Sequence, residues 1–250
     1  MLFERDIVKY RFLLKKDITV LVAGLLKEFK VYGPVKKDGF PIYGNITAPN
    51  DINLLHSPTH ISPKQYLFPQ RETLLRFSSG ERPVVEPVVE AEEQQALFGV
   101  HPCDIHAIKL LDRVFAYGTA DVNYLKRREK TIIIGTNCIP DKYCFCKGVN
   151  TMTVESGFDL FLHNIGTGFL VESGTQKGKG LLLKYTKTRK TNKNELKKLS
   201  QIQNQKKEMF TTSINADASA LPLIYSGSYN SPIWERIGSI CYGCGSCNLV

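Results

Sequence analysis

Three features of the chain point to an α/β fold. Ala96-Leu-Phe-Gly-Val100 is a continuous apolar run of strand length. The next stretch, Ile105 to Phe115, repeats its apolar residues at 105, 108, 111, 114 and 115, the spacing of a helix. Lys130 to Thr136, with Ile132, Ile133 and Ile134, is a second buried run. Strand, helix and strand of these lengths make a βαβ unit with parallel strands. An N-terminal α+β portion is expected to lead into the sheet that contains it.

Along the chain, residues 17 to 29 read as a helix, with Asp17 as N-cap and Val31-Tyr-Gly33-Pro34 as its stop. Val35 to Tyr43 reads as a hairpin turning at Asp38-Gly39. Ser78 to Pro83 is a loop, and Pro87 to Gln95, with Glu90, Glu92 and Glu93, is an acidic approach to the βαβ unit. His101-Pro-Cys103-Asp104 reads as a turn between the first strand and its helix. Asp159 to Leu162 and Phe169-Leu-Val171 suit a hairpin that turns at Gly166-Thr-Gly168. That Gly-x-Gly lacks the third glycine and the following helix of a dinucleotide fingerprint, and is read as a turn. No internal repeat is present.

The 250 residues can bury a sizeable core without disulfides, and 42% apolar with 23% charged residues is ordinary globular composition. The most apolar stretch, Ile18 to Leu26, is far short of the roughly 20 residues of a bilayer span. Glu4, Arg5, Asp6, Lys9 and Arg11 interrupt the N-terminus, unlike a secretory signal, so a cytoplasmic location is expected. The net charge of +9 is local: Lys177 to Lys207 holds eleven basic residues against Glu195, leaving 22 basic and 23 acidic residues elsewhere. This run is expected to be a solvated, partly disordered segment, in which Leu196, Leu199 and Ile202 suggest one face of a short amphipathic helix with Lys197 and Lys198 on the opposite, wet face. Grip on nucleic acid or on an acidic partner is the alternative.

Seven cysteines stand at 103, 138, 144, 146, 241, 244 and 247, and in a reducing compartment they favour metal chemistry over disulfides. Cys241-Tyr-Gly-Cys244-Gly-Ser-Cys247 is a C-x-x-C-x-x-C run. It matches the start of the bacterial ferredoxin pattern, in which a short loop wraps thiolates around a cubane and turns backbone N–H groups toward the sulfurs. Gly243 and Gly245 supply the freedom that wrapping needs. Three residues, Asn248, Leu249 and Val250, follow Cys247, so the run stands one residue short of the fourth cysteine. The expectation is an incomplete start of a dicluster ferredoxin domain over residues 231–250, after an α/β iron–sulfur domain over residues 1–230. A zinc knuckle is the competing assignment.

Cys138-Ile-Pro-Asp-Lys-Tyr-Cys144-Phe-Cys146 forms the second set. Cys103 and Cys138 each follow a strand of the βαβ unit, so both reach the sheet edge where open α/β folds bind ligands. With Cys144 and Cys146 in the next loop, four thiolates can converge on a [4Fe-4S] cluster. The helix start at Cys103 is expected to favour its thiolate. The competing assignment makes Cys103 a small buried hydrophobe and leaves the other three to zinc or to nothing. His101 and His106 flank Cys103 and are read as helix-end histidines rather than ligands. Trp234 and Tyr242 are read as packing residues.

Phe98-Gly-Val-His-Pro-Cys-Asp104, Ile108-Lys-Leu-Leu-Asp112, Arg127-Arg-Glu-Lys130, Asn137-Cys138, Pro140-Asp-Lys-Tyr-Cys-Phe-Cys146 and Gly157-Phe-Asp-Leu-Phe161 resemble the iron–sulfur β subunit of cytoplasmic [NiFe] sulfhydrogenases and the related iron–sulfur subunit of anaerobic sulfite reductase. Ser62-Pro-Lys-Gln-Tyr-Leu-Phe-Pro-Gln-Arg-Glu72 and Pro232-Ile-Trp234 resemble the same family. The likeness covers residues 20–172 and 230–250. It implies an electron-transfer subunit between a diaphorase-like, flavin-containing subunit on one side and a hydrogenase or sulfite reductase catalytic subunit on the other, holding neither nickel nor sirohaem itself. The lysine-rich stretch matches no family motif, and an acidic ferredoxin is a candidate partner for it.

No Walker loop, H-E-x-x-H pair or nucleophile elbow occurs, so hydrolase and kinase chemistry have no support. Two readings remain: an iron–sulfur electron carrier of a multi-subunit oxidoreductase, not catalytic on its own, and a zinc-stabilised α/β domain with a basic nucleic-acid-binding segment. Single-strand binding calls for aromatics among the lysines, and Tyr185 is the only one between 177 and 207.

Overall fold

The computed structural model describes residues 9–54, 58–80, 83–89 and 93–245. In chain order these form β1 (Tyr10–Leu14), α1 (Ile18–Leu25), β2 (Lys30–Lys37), β3 (Phe40–Asn45), β4 (Leu75–Ser78), β5 (Val84–Pro87), β6 (Gln95–Val100), α2 (Pro102–Ala116), α3 (Val122–Glu129) and β7 (Thr131–Thr136). There follow β8 (Leu160–Asn164), β9 (Gly168–Ser173), α4 (Gln176–Tyr185), β10 (Arg189–Lys190), α5 (Lys193–Glu208), α6 (Leu221–Gly227) and α7 (Ile233–Ile240). No helix among the described residues is long and apolar enough to cross a membrane.

The main sheet runs β10-β1-β9-β8-β7-β6-β2-β3, and β4 pairs with β5 in a separate ribbon. Strands β2, β6, β7 and β8 are parallel neighbours, flanked on both sides by antiparallel strands. This is an α/β fold built around the expected βαβ unit. The crossover from β6 to β7 carries two helices, α2 and α3, where the sequence reading had one.

Alternation, interrupted once by the register shift at Gly99, sorts the strand residues between two layers. Ala96, Phe98, Ile132, Ile134, Leu160 and Leu162 join Leu21, Val22 and Leu25 of α1 and Leu181 and Leu182 of α4 in one core cluster. Leu97, Val100, Ile133 and Phe161 face the other way and pack with Ile105 and Ile108 of α2 and Tyr124 of α3. Covering both faces explains why β6 and β7 are buried at every position.

Several boundaries differ from the sequence reading. The first helix stops at Leu25, and Val31 to Pro34, taken for its stop, lie inside β2. Asp17 stands at the N-cap position but makes no side-chain cap bond. The hairpin at Asp38-Gly39 forms as expected, with both residues at positive φ (49° and 86°), the requirement of a tight two-residue turn. β8 and β9 also form the expected antiparallel pair around Gly166. The acidic approach falls partly outside the described residues, at Glu90 and Glu92.

The largest correction concerns the lysine-rich stretch, which is folded rather than a solvated, disordered run. Thr175 caps α4 by accepting the Gly178 N–H at 3.0 Å, and Asn192 with Glu195 forms a reciprocal capping box on α5. Leu181 and Leu182 join the main core, while Leu196 and Leu199 of α5 pack with Phe12, Ile165 and Leu170. The segment looked solvated because most of its lysines occupy the outer faces of amphipathic helices, Leu196, Leu199 and Ile202 forming the inner face as expected.

Beneath α5, His163 of β8 lies 3.5 Å from Glu172 of β9, which pairs with Lys9 at 2.9 Å. Burial holds His163 below its ordinary value of 6.5, partly offset by Glu172. Burial also pushes Glu172 up, but bonds from His163 and Lys9 outweigh it and leave that carboxyl below 4.5. A histidine depressed in the folded state binds fewer protons than in the unfolded chain, so stability present above 6.5 is lost as pH falls toward the folded value. Glu172 adds a loss of the same sign at more acid pH. Urea unfolding at pH 7.5 and 5.5 is expected to show lower stability at 5.5, and His163→Gln to flatten that difference. An unchanged slope in the variant would assign the effect elsewhere.

Candidate metal centre

Cys103 sits in the first turn of α2, directly after β6. Gly99, at φ 76°, marks a register shift in the β6–β7 pairing, and a Cβ there would stand 2.9 Å from Pro34 Cδ. Only glycine suits this bend, which aims the chain into the corner at His101. Pro102 then opens the helix at the position where its missing N–H costs nothing. His101 through Asp104 is thus a helix start rather than a free turn. Asp104 is tied down by the Ser62 hydroxyl at 3.0 Å, and burial raises its carboxyl against the pull of Ser62 and Lys64.

Cys138 is buried just past β7. Beside it, the Asn137 side-chain oxygen accepts the backbone N–H of Asn164 at 2.7 Å, joining the ends of β7 and β8. Asp141 organises the loop: its carboxylate accepts the N–H of Tyr143 at 2.8 Å and of Cys144 at 3.0 Å, while its own N–H points at the Cys144 sulfur at 3.4 Å. Further on, the Thr151 N–H donates to the Cys146 carbonyl at 2.9 Å.

These segments bring four cysteines to one corner of the sheet. Cys103 and Cys146 influence each other's ionisation, and the charge of Cys138 acts on Cys103 while that of Cys146 acts on Cys138 and Cys144. Cys103, with Lys206 and nearby backbone N–H groups, brings Cys146 down to about 6. Cys103 is raised, by Cys146 beside it and by burial. That direction runs against the expectation that the helix start would favour its thiolate, because the neighbouring thiol and burial outweigh a partial helix charge. Burial likewise raises Cys138, and Cys144 to about 11.

Among the described residues, no three Cys, His, Asp or Glu side chains are close enough together to hold one metal ion. A cubane asks for a different spacing, because each thiolate binds a separate iron around the cluster, whereas zinc draws its sulfurs to about 2.3 Å from one centre. The donor chemistry of four thiols on a shared corner fits the cluster.

His106 is hydrogen-bonded to the Thr153 carbonyl at 2.8 Å, as expected of a helix-end histidine, whereas His101 is buried rather than solvent-facing. Cys241 and Cys244 are exposed, and Cys247 lies outside the described residues. Gly243 and Gly245 adopt positive φ, and the Gly243 N–H faces the Cys241 sulfur at 3.4 Å. Tyr242, expected to pack, is 98% exposed.

The sequence reading missed Lys206. Its ammonium donates to the Met152 carbonyl at 3.2 Å, and its charge acts on Cys138 and Cys146, drawing both thiols down. A signal was present: Lys206 follows Leu199 by seven residues, two helical turns on, and so shares the buried face of α5.

Over 227 residues the chain is 32% identical to sulfhydrogenase 2 subunit beta of Pyrococcus furiosus, a match that covers 90% of this chain and 66% of that protein. The chain belongs to the sulfhydrogenase β-subunit family. No family model matches it. In this β-subunit chain the segments Ser62 to Glu72 and Arg127 to Lys130 meet in space: Arg127 donates to the Leu67 carbonyl at 2.7 Å and pairs with Glu72 at 2.5 Å. Arg128 pairs with Asp112 at 3.1 Å, and the Tyr124 hydroxyl donates to the same carboxylate at 2.6 Å. These contacts fasten α2 to α3 and so hold the helix that carries Cys103.

Proposed function

We propose that this chain is an iron–sulfur electron-transfer subunit of a multi-subunit hydrogenase-type oxidoreductase. Cys103, Cys138, Cys144 and Cys146 are its cluster ligands. The observation that carries the reading is the convergence of these four thiols at the end of the β6 and β7 strands. When bound, a [4Fe-4S] cluster takes up and releases one electron at a time. The chain's part is to present sulfur from a rigid corner: Cys103 on a helix start, Cys138 at a strand end, and Cys144 and Cys146 on a loop fixed by Asp141.

Family membership supports a β-subunit role in a larger assembly, whose proposed electron partners are a subunit containing flavin and a catalytic subunit. Residues 231–250, with Cys241, Cys244 and Cys247, are proposed as the start of a ferredoxin-type unit separate from residues 1–230. Nucleic acid is a poorer partner for the basic helices, because Tyr185, their only aromatic, packs against Gly24 of α1: a Cβ at that glycine would stand 2.2 Å from the ring.

Protein purified without oxygen is expected to be brown, with about four iron atoms per chain at this site. Stoichiometric zinc and a colourless solution would overturn the proposal.

A further inference from the structure

The end of α5 is fastened to the cysteine loop at three points. Lys206 donates to the Met152 carbonyl at 3.2 Å, Lys147 to the Lys207 carbonyl at 3.0 Å, and the Thr212 hydroxyl to the Lys142 carbonyl at 2.5 Å. Within this clasp Lys206 is 9% exposed, while Lys197 and Lys198 of the same helix face solvent. Burying an ammonium is costly unless an anion compensates it. The ion pairs formed by the described residues leave Lys206 without a carboxylate partner. It is held instead by the Met152 carbonyl, just after the cysteine loop, from where its charge acts on Cys138 and Cys146.

We infer that Lys206 is a positioning residue for electron transfer, whose fixed positive charge at Cys138 raises the reduction potential of the cluster held by Cys103, Cys138, Cys144 and Cys146. The inference rests on the cluster proposed above. A cubane with four thiolate ligands is anionic in both redox states, and reduction adds one electron without making or breaking a bond. A cation held beside a ligand sulfur therefore stabilises the reduced state more than the oxidised one, and does so strongly where water is excluded. Lys206 needs neither to release a proton nor to touch iron.

The test is a redox titration of the anaerobically purified full chain with dithionite, followed by visible absorption, after iron has been counted. Lys206→Met and Lys206→Gln are expected to keep their iron and to need a lower potential for half-reduction. At a fixed applied potential the reduced-to-oxidised ratio should fall about tenfold or more, which is about 59 mV for one electron. Lys206→Arg should restore the wild-type midpoint, and Lys197→Met, on the solvent face, should leave it unchanged. Equal midpoints in wild type, Lys206→Met and Lys206→Gln would overturn the inference and leave the cluster proposal standing. Wild-type protein without iron would overturn both. If the neutral variants lose iron, retention in Lys206→Arg alone supports a role for the charge, and loss in all three variants overturns it in favour of simple fit.

Discussion

Replacing Cys146 with alanine is expected to reduce bound iron from about four atoms per chain to under about one, and to remove most of the broad visible absorption. Cys146 is the hub of the site: it influences the ionisation of Cys103 and acts by charge on Cys138 and Cys144. Among the described residues the other thiols, Cys241 and Cys244, are exposed on a different segment. Cys146 is only half-buried on a loop, so its loss should leave the far-ultraviolet circular dichroism unchanged and separate ligand loss from unfolding. Cys241→Ala should leave the iron at the first site in place. Full iron retention by Cys146→Ala would remove that residue from the ligand set.

Leu182→Ala is expected to destabilise the fold by about 2–5 kcal/mol, read as a lower urea midpoint with an unchanged slope. Leu182 lies in the middle of the lysine-rich stretch yet is completely buried, packed in the cluster that also holds Ile18, Leu21, Ile134 and Leu162. Truncation would remove its packing and leave a cavity between α1, α4 and the sheet. Lys184→Ala is the control: its pair with Glu28, 2.6 Å apart, is exposed, and such pairs contribute at most about 1 kcal/mol. A negligible cost for Leu182→Ala would return residues 177–207 to the status of a surface insert.

Local periodicity made much of the core architecture readable. The isoleucine run at 132–134 and the apolar run at 96–100 are buried strands because every position is covered, by one layer or the other. Asp38-Gly39 is a turn because both residues tolerate positive φ. The arrival of Cys103 and Cys138 at one sheet edge followed from the parallel βαβ topology alone, before any distance was known. In the lysine-rich stretch Leu196, Leu199 and Ile202 marked the buried face of α5, whereas the apolar face of α4 was harder to read among the charges.

The chain by itself determined the elements of the centre: two parallel strands, a helix beginning at Cys103, a loop with Cys144 and Cys146, and the cysteine chemistry. These are short-range matters, set by side-chain spacing, turn residues and the direction of adjoining strands. Only the tertiary structure decided that Cys103 is raised and Cys146 lowered, because those shifts depend on burial and on groups from distant segments. It also decided that one lysine of the basic stretch turns inward. Lys206 is 68 residues from Cys138 in the chain, and no local pattern names the thiol its charge acts on; the packing of α5 against the cysteine loop does.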